Sequence, residues 1–271
     1  LAAAIRLAAG GCRVTVIEAA DAPGGKARGR PTEAGPAAMG PTVLTLKAEV
    51  DALFALCGTT TEAEVGITRL PQLARHWWPG SGPLDLYPDR EANIDAIRAF
   101  AGDREARGFA RFDARSAALY DAFEQPVMRA PGPDLPAIAR ATLRRPGLWT
   151  PLLPGMTMDR WLGQFFRDPR LRQLFGRYAT YVGGRPAHTP AVLSLVWQAE
   201  AKGVWAVADG IQALAAALAR AGERLGVRFL YATKARRITR QSGRVGLVET
   251  DQGRHPADIV VFNGDPRALT D

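Results

Sequence analysis

The stretch from Arg13 to Arg28 constrains the fold of this chain more than any other. Val14, Val16 and Ile17 form a short β-branched run, the pattern of a buried parallel strand. The run closes on an acid, Glu18, and the chain then turns through Pro23-Gly24-Gly25. An acid closing the second strand of a dinucleotide-binding fold accepts hydrogen bonds from a ribose hydroxyl. The glycines let the backbone pass close to a cofactor. Taken alone, Glu18 is an ordinary strand-end acid. Its spacing from a helix and the corner behind it favour the ribose role, and an acid there disfavours a 2′-phosphate.

Upstream, Leu1 to Ala9 reads as a helix ended by Gly10-Gly11, with no initiator Met. In a Rossmann unit the glycine fingerprint opens this helix, and the acid follows about 20 residues later. Glu18 therefore places the fingerprint at or before Leu1, where the sequence has none. The expectation is a fragment without its first strand and phosphate loop, the loop that holds a pyrophosphate at a helix N-terminus.

At 271 residues and 47% hydrophobic content, the chain can build one large domain or two small ones. Cys12 and Cys57 have no metal-ligand spacing and make no disulfide framework, which fits reduced thiols in a cytoplasmic protein. The three histidines are scattered, so no metal site is expected. No apolar run of about 18 residues and no signal peptide is visible. The net charge of +8 admits nucleic acid, an anionic membrane or simply an arginine-rich genome. Between Gln125 and Pro186, ten Arg face three Asp, interleaved with Trp149, Leu152, Leu153, Trp161, Phe165 and Phe166. Basic residues among bulky apolar ones suit a membrane interface. No nucleic-acid motif accompanies them, so a peripheral membrane contact through Arg144, Arg145, Arg160 and Arg167 is expected, and no nucleic acid.

Along the chain, 30–40 reads as loop and Thr45 to Leu56 as a helix ended by Gly58, with Thr as cap. Ile67 to Trp78 and Leu84 to Tyr87 suggest a hairpin around Pro79-Gly80-Ser81-Gly82. Helices follow at 90–100, 105–123 and 135–143. Thr157 caps a helix carrying Trp161, Leu162, Phe165 and Phe166. Asp168-Pro169 starts another, whose Leu171, Leu174, Phe175 and Tyr178 share one face. A further apolar helix is expected over 190–202. Asp209 is expected to cap a helix from Ile211 to Ala221, ended near Gly222. Then come a strand at 227–230, a hairpin of 235–239 with 245–250 across Gln241-Ser242-Gly243, and a buried final strand at 259–262. Trp77, Trp78, Trp197 and Trp205 are expected in the core or in a tunnel wall.

Leu1 to Arg28, followed by Gly40-Pro41-Thr42-Val43-Leu44-Thr45, resembles the start of the bacterial carotenoid desaturases, flavoproteins of the phytoene desaturase family. His76-Trp77-Trp78-Pro79, the stretch 171–186 (LRQLFGRYATYVGGRP) and Phe262-Asn263-Gly264-Asp265-Pro266 are similar to the 1-hydroxycarotenoid 3,4-desaturases, also called methoxyneurosporene dehydrogenases. The resemblance implies an α/β fold: a truncated Rossmann-like FAD-binding domain (1–66 and 203–271) with an inserted α+β substrate- and membrane-facing domain (67–202). It implies FAD-dependent removal of a hydride and a proton from neighbouring carbons of an acyclic carotenoid, at C3–C4 of a 1-hydroxylated substrate. Phytoene desaturation, a flavin amine oxidase-type reaction and an inactive apo fragment remain alternatives.

The same resemblance implies cofactor contacts. Gly24, Gly25, Lys26 and Arg28 would lie against the phosphate–ribose arm, where Lys26 stands in place of the more usual Arg. Gly40, Pro41, Thr42 and Val43 would pass the isoalloxazine ring. Ala235 would meet adenine through its backbone. Asn263 and Asp265 fit cofactor contact or plain turn chemistry equally. No acid–base dyad is implied, because the flavin carries the hard step.

Overall fold

The structure, a computed structural model, describes residues 1–30, 32–33, 37–241 and 243–269. These form two compact units, Leu1–Thr68 with Trp205–Asp271, and Arg69–Val204. Part of the 30–40 loop and Ser242 of the expected turn lie outside the described residues.

The first unit opens with helix α1 (Ala2–Ala9). It stops because Gly11 takes φ 86, which turns the N–H groups of Gly11 and Cys12 back onto the carbonyls of Ala8 and Leu7. Strand β1 (Thr15–Ile17) follows. It is only half-buried, not the fully buried strand expected, because it has a single neighbouring strand among the described residues. Strands β2 (Gly29–Arg30) and β3 (Ala37–Ala38) form a short antiparallel ladder. Helix α2 (Lys47–Leu56) starts two residues later than expected: left-handed Leu46 (φ 51) is the N-cap, and neither Thr42 nor Thr45 caps it. Helix α3 (Thr61–Glu64) is capped by the Thr60 hydroxyl, which accepts the Ala63 N–H. Strand β4 (Ile67–Arg69) leads out of the unit.

The second unit begins with the expected hairpin, β5 (Ala74–His76) against β6 (Leu84–Leu86), in the register Ala74 to Leu86 and His76 to Leu84. Helices α4 (Arg90–Ala101) and α5 (Asp103–Phe123) pack on each other across Gly102, whose φ of 90 makes the corner. Helix α6 (Leu135–Leu143) carries an Asp134 cap and Pro136 in its first turn, and the short α7 (Trp149–Leu152) follows. Helix α8 (Met158–Leu162) has the expected Thr157 cap but ends at Gly163, so Phe165 and Phe166 fall in the turn beyond it. Both are buried nonetheless. Helix α9 (Pro169–Gly176) has the Asp168 cap, and the expected 190–202 helix is split into a 3₁₀ turn (Ala191–Leu195) and α10 (Val196–Ala201).

The core of this unit is aromatic. Phe109, Phe112, Phe166, Phe175 and Trp197 are fully enclosed, and Phe175 touches the other four rings at centroid distances of 4.8–5.7 Å. Each such ring contributes about 1.5–3 kcal/mol by leaving water. Gly108 lets α5 approach this far: a Cβ there would stand 2.2 Å from the Phe165 carbonyl oxygen. Trp197 is in the core as expected, whereas Trp77 is 67% exposed.

The chain returns to the first unit through β7 (Trp205–Val207), which pairs with β4. Helix α11 (Ile211–Arg224) is longer than expected. Gly222 lies inside it, facing Ile5, Val227 and Phe229, and does not end the helix. Asp209 has φ 60 and does not cap with its side chain; Gly210 is the N-cap. Strand β8 (Arg228–Leu230) pairs in parallel with β1, Thr15 with Arg228 and Ile17 with Leu230. Strands β9 (Ala235–Gln241) and β10 (Arg244–Thr250) form the expected hairpin, and β11 (Gly253–Pro256) adds an unexpected third strand. The expected buried strand at 259–262 is absent: Ile259, Val261 and Phe262 are 76%, 58% and 41% exposed. A strand buried on both faces needs hydrogen-bonded neighbours, and none is present for it among the described residues.

Candidate nucleotide-binding edge

The carboxyl ends of β1 and β8 lie side by side, and Glu18 continues the ladder at that edge. Its N–H donates to the Leu230 carbonyl at 2.9 Å, and its carbonyl accepts from the Thr233 N–H at 2.9 Å. The Ala232 N–H donates to the Ala20 carbonyl at 2.7 Å, with Ala232 at φ 49 to make the turn. Glu18 is thus fixed at the backbone, and its half-buried side chain emerges where a parallel pair ends. Oε1 accepts from the Ala20 N–H at 2.8 Å, while Oε2 has no hydrogen-bond partner among the described residues. Ligands of open α/β sheets bind outside such carboxyl ends.

Residues 231–235 share this edge. Gln252 donates to the Ala232 carbonyl at 2.7 Å, and the Lys234 N–H donates to Asp251 Oδ1 at 2.8 Å. Exposed Ala235 opens β9 opposite Thr250, two residues beyond the Thr233–Glu18 bond. Tyr231 stacks on Phe229 at 5.7 Å, and burial, with help from the Glu223 and Glu18 carboxylates, pushes its phenol up so that it stays protonated. Sequence reasoning missed Tyr231. Its only signal was its place one residue past a strand, which is not specific.

The glycine corner is a close-packed backbone structure. Gly24 and Gly25 take φ 125 and 56. The Ala27 N–H donates to the Gly24 carbonyl at 2.9 Å, and a Cβ on Gly24 would stand 2.7 Å from the Ala27 oxygen. Gly40 rests against this turn: its Cβ would fall 2.0 Å from the Lys26 carbonyl oxygen. The Met39 N–H donates to the Arg28 carbonyl at 2.9 Å. The two glycine segments singled out in the sequence, 24–28 and 40–43, are therefore in backbone contact. Behind them, Gln212 of α11 anchors to the Asp209 carbonyl at 2.7 Å, with its amide against Gly29. Leu44 exchanges two hydrogen bonds of 2.8 Å with Trp205 and fixes the exit of the 40–43 segment.

Gly25, Lys26, Arg28, Gly40, Pro41, Thr42 and Val43 are all exposed. Lys26 and Arg28 have no acidic partner among the described residues. Bare backbone beside two unneutralised cations suits a phosphate, and a carboxylate oxygen at a strand edge suits a sugar hydroxyl. These residues fit the adenosine and phosphate portion of a dinucleotide. Asn263 and Asp265 do not join them by any hydrogen bond. Asp265 Oδ1 accepts the Arg267 N–H at 3.0 Å, which is turn chemistry, and Asn263 has no hydrogen-bond partner among the described residues.

In the second unit the basic, aromatic stretch is partly neutralised. Arg129, Arg170, Arg172 and Arg177 pair with Glu124, Asp168, Asp159 and Glu200. Arg140, Arg144, Arg145 and Arg160 have no acidic partner among the described residues. Leu135, Leu143, Trp149 and Leu153 are 49–70% exposed beside them in sequence, whereas Trp161, Phe165 and Phe166 belong to the core. No helix among the described residues is long and apolar enough to cross a membrane.

A parallel strand pair ending in an acid and backed by a glycine corner is the arrangement of an α/β fold at its nucleotide edge. The chain belongs to the flavin containing amine oxidoreductase family, which matches residues 1–270. It is 60% identical over 272 residues to hydroxyneurosporene desaturase of Rhodobacter capsulatus, covering 100% of this chain and 55% of the relative. It is 32% identical over 276 residues to phytoene dehydrogenase of Streptomyces griseus, covering 98% of this chain and 52% of the relative. The chain thus spans about half the length of the curated relatives it matches. A solved structure of putrescine oxidase superposes with a TM-score of 0.56 at 17% identity, over 95% of this chain and 53% of that one, which shows a shared fold.

Proposed function

We propose that this chain supplies the adenosine-binding edge and the substrate unit of an FAD-dependent oxidoreductase that inserts a double bond into an acyclic carotenoid. The observation that carries this reading is the 60% identity to a hydroxyneurosporene desaturase over the whole chain, against 32% to a phytoene dehydrogenase. That difference favours a 1-hydroxylated substrate and C3–C4 desaturation over phytoene. The first unit is the FAD-binding domain and the second the substrate-binding domain.

A bound flavin would supply the hydride acceptor for this desaturation. The chain's own residues bind and orient. Glu18 Oε2 accepts from a ribose hydroxyl, and the Glu18 backbone bonds hold that oxygen in place. Lys26 and Arg28 neutralise phosphate, and the bare backbone of Gly24, Gly25 and Gly40 lets it come close. Pro41, Thr42 and Val43 continue toward the flavin ring, and Ala235 meets adenine. Asn263 and Asp265 are second-rank candidates, given their turn geometry. The enzyme works in the cytoplasm at the membrane face. It meets its lipid-dissolved substrate through exposed Leu135, Leu143, Trp149 and Leu153 with Arg140, Arg144, Arg145 and Arg160, a surface that pairs apolar insertion with attraction to anionic lipid.

The test is desaturation by the chain expressed with its flanking coding sequence. A 1-hydroxylated acyclic carotenoid and phytoene are supplied side by side with FAD. A red-shifted product from the hydroxylated substrate alone supports the reading. Product from phytoene alone transfers the chain to the phytoene branch, and oxidation of an amine with neither carotenoid consumed overturns the proposal.

A further inference from the structure

Two stretches that resemble the hydroxycarotenoid branch, His76 to Pro79 and 171–186, contribute to one polar cluster in the second unit. At its centre is Glu200 of α10, with its side chain 16% exposed. Oε2 accepts from the Arg177 guanidinium and, at 2.9 Å, from the Tyr178 hydroxyl. Oε1 accepts from the Tyr181 hydroxyl at 3.3 Å. Arg177, Glu200 and Asp85 are the charges that act on the His76 ring. That ring sits 6.1 Å from Trp78, and its Nε2 is buried with no hydrogen-bond partner. The cluster is graded from outside inward: Tyr181 is 64% exposed, Glu200 mostly covered and Tyr178 fully enclosed.

A buried polar atom without a partner in a native protein calls for a ligand or a water. Burial, reinforced by Arg177, brings His76 down to about 4, so the ring is neutral at physiological pH. A neutral imidazole nitrogen is either a donor or an acceptor, depending on the tautomer. A hydroxyl group satisfies both cases, because it donates and accepts. A carboxylate ligand would face Glu200, and an ammonium would face Arg177. An uncharged alcohol faces neither penalty.

We propose that this cluster receives the alcohol group at the hydroxylated end of the substrate, with the hydroxyl bonded to His76 Nε2 and the Tyr181 side as its way in. This rests on the reading of the chain as a carotenoid desaturase. A site built to bond a hydroxyl discriminates strongly against the analogue that lacks one, because its own polar atoms are then left unpaired.

The test compares a 1-hydroxylated acyclic carotenoid with its unhydroxylated counterpart, in detergent, on the chain with its flanking coding sequence. Binding is read as quenching of tryptophan fluorescence and turnover as kcat/KM. The wild type is expected to prefer the hydroxylated carotenoid at least tenfold in both. His76→Phe, which keeps ring volume and removes the nitrogens, is expected to erase the preference. His76→Gln is expected to restore part of it. Tyr181→Phe, at an exposed position that does not endanger folding, is expected to lower binding of the hydroxylated carotenoid alone by a few-fold. Equal binding of both carotenoids by the wild type, or a preference untouched by His76→Phe and Tyr181→Phe, overturns the proposal and assigns the site to a water. Wild type that desaturates neither substrate overturns the desaturase reading instead, and the binding arm still decides the subsite.

Discussion

Acid is expected to unfold the second unit earlier than its carboxylates alone would require, and His76 is the cause. Its imidazole falls from the ordinary 6.5 to about 4 in the folded chain, chiefly by burial and then by Arg177. Between those values the unfolded chain binds a proton that the folded chain refuses, so stability drops as pH falls from 6.5 to 4. At 1.36 kcal/mol per pH unit, that interval is worth at most about 3 kcal/mol, and less because solvent reaches the half-buried ring. Asp85 and Asp168 are held below the usual carboxylate range by hydrogen bonds from Arg75 and Arg170. Their contributions are present above about 4 and vanish only as pH falls below it. The two effects therefore occupy different pH windows. Urea unfolding followed by tryptophan emission, with Trp78 6.1 Å from the His76 ring, reads this unit. The wild type should lose about 1–3 kcal/mol between pH 6.5 and 4 relative to His76→Phe, which has no proton to accept there. Parallel stability curves for the two proteins would refute the reasoning, since they would mean that the imidazole titrates alike folded and unfolded.

Gly40→Ala places a Cβ 2.0 Å from the Lys26 carbonyl oxygen, so the two glycine segments must part. It is expected to weaken FAD binding at least tenfold, checked by flavin fluorescence, while the melting of the second unit is unchanged. Gly108→Ala meets the Phe165 carbonyl at 2.2 Å and should cost about 1–3 kcal/mol by overpacking, checked by urea unfolding of the second unit. Replacing Arg140, Arg144 and Arg145 with Gln should lower co-sedimentation with phosphatidylserine vesicles several-fold at low salt, with no change in binding to neutral vesicles. Unchanged co-sedimentation would remove that face as the lipid contact.

Much of the local structure was legible because it is written in short range. The Thr157 and Asp168 caps, the hairpin around Pro79–Gly82 and the face shared by Leu171, Leu174 and Phe175 all follow from residues within one or two turns of each other. The errors arise where a pattern states a preference that only a neighbour can satisfy. Residues 259–262 have the composition of a buried strand, yet composition supplies no partner strand, and the segment stays exposed. Gly222 looked like a helix end, but α11 runs on through it to Arg224, with Gly222 facing Ile5 and Phe229. The contact between Gly40 and Lys26 joins segments already suspected of acting together. The Glu200 cluster could not be foreseen, because its members are separated by up to about 120 residues and lack any mutual spacing; folding alone assembles them.

The central claim is that the Glu18 carboxylate, fixed at the end of a parallel strand pair, holds an adenosine sugar. Its most direct test is the FAD dissociation constant of the chain with its flanking coding sequence, against that of Glu18→Gln. Loss of a hydrogen bond to a charged group is worth about 1.5–3 kcal/mol, so FAD should bind roughly tenfold to a hundredfold more weakly, with circular dichroism unchanged. FAD binding as tight in Glu18→Gln as in the wild type would contradict the account.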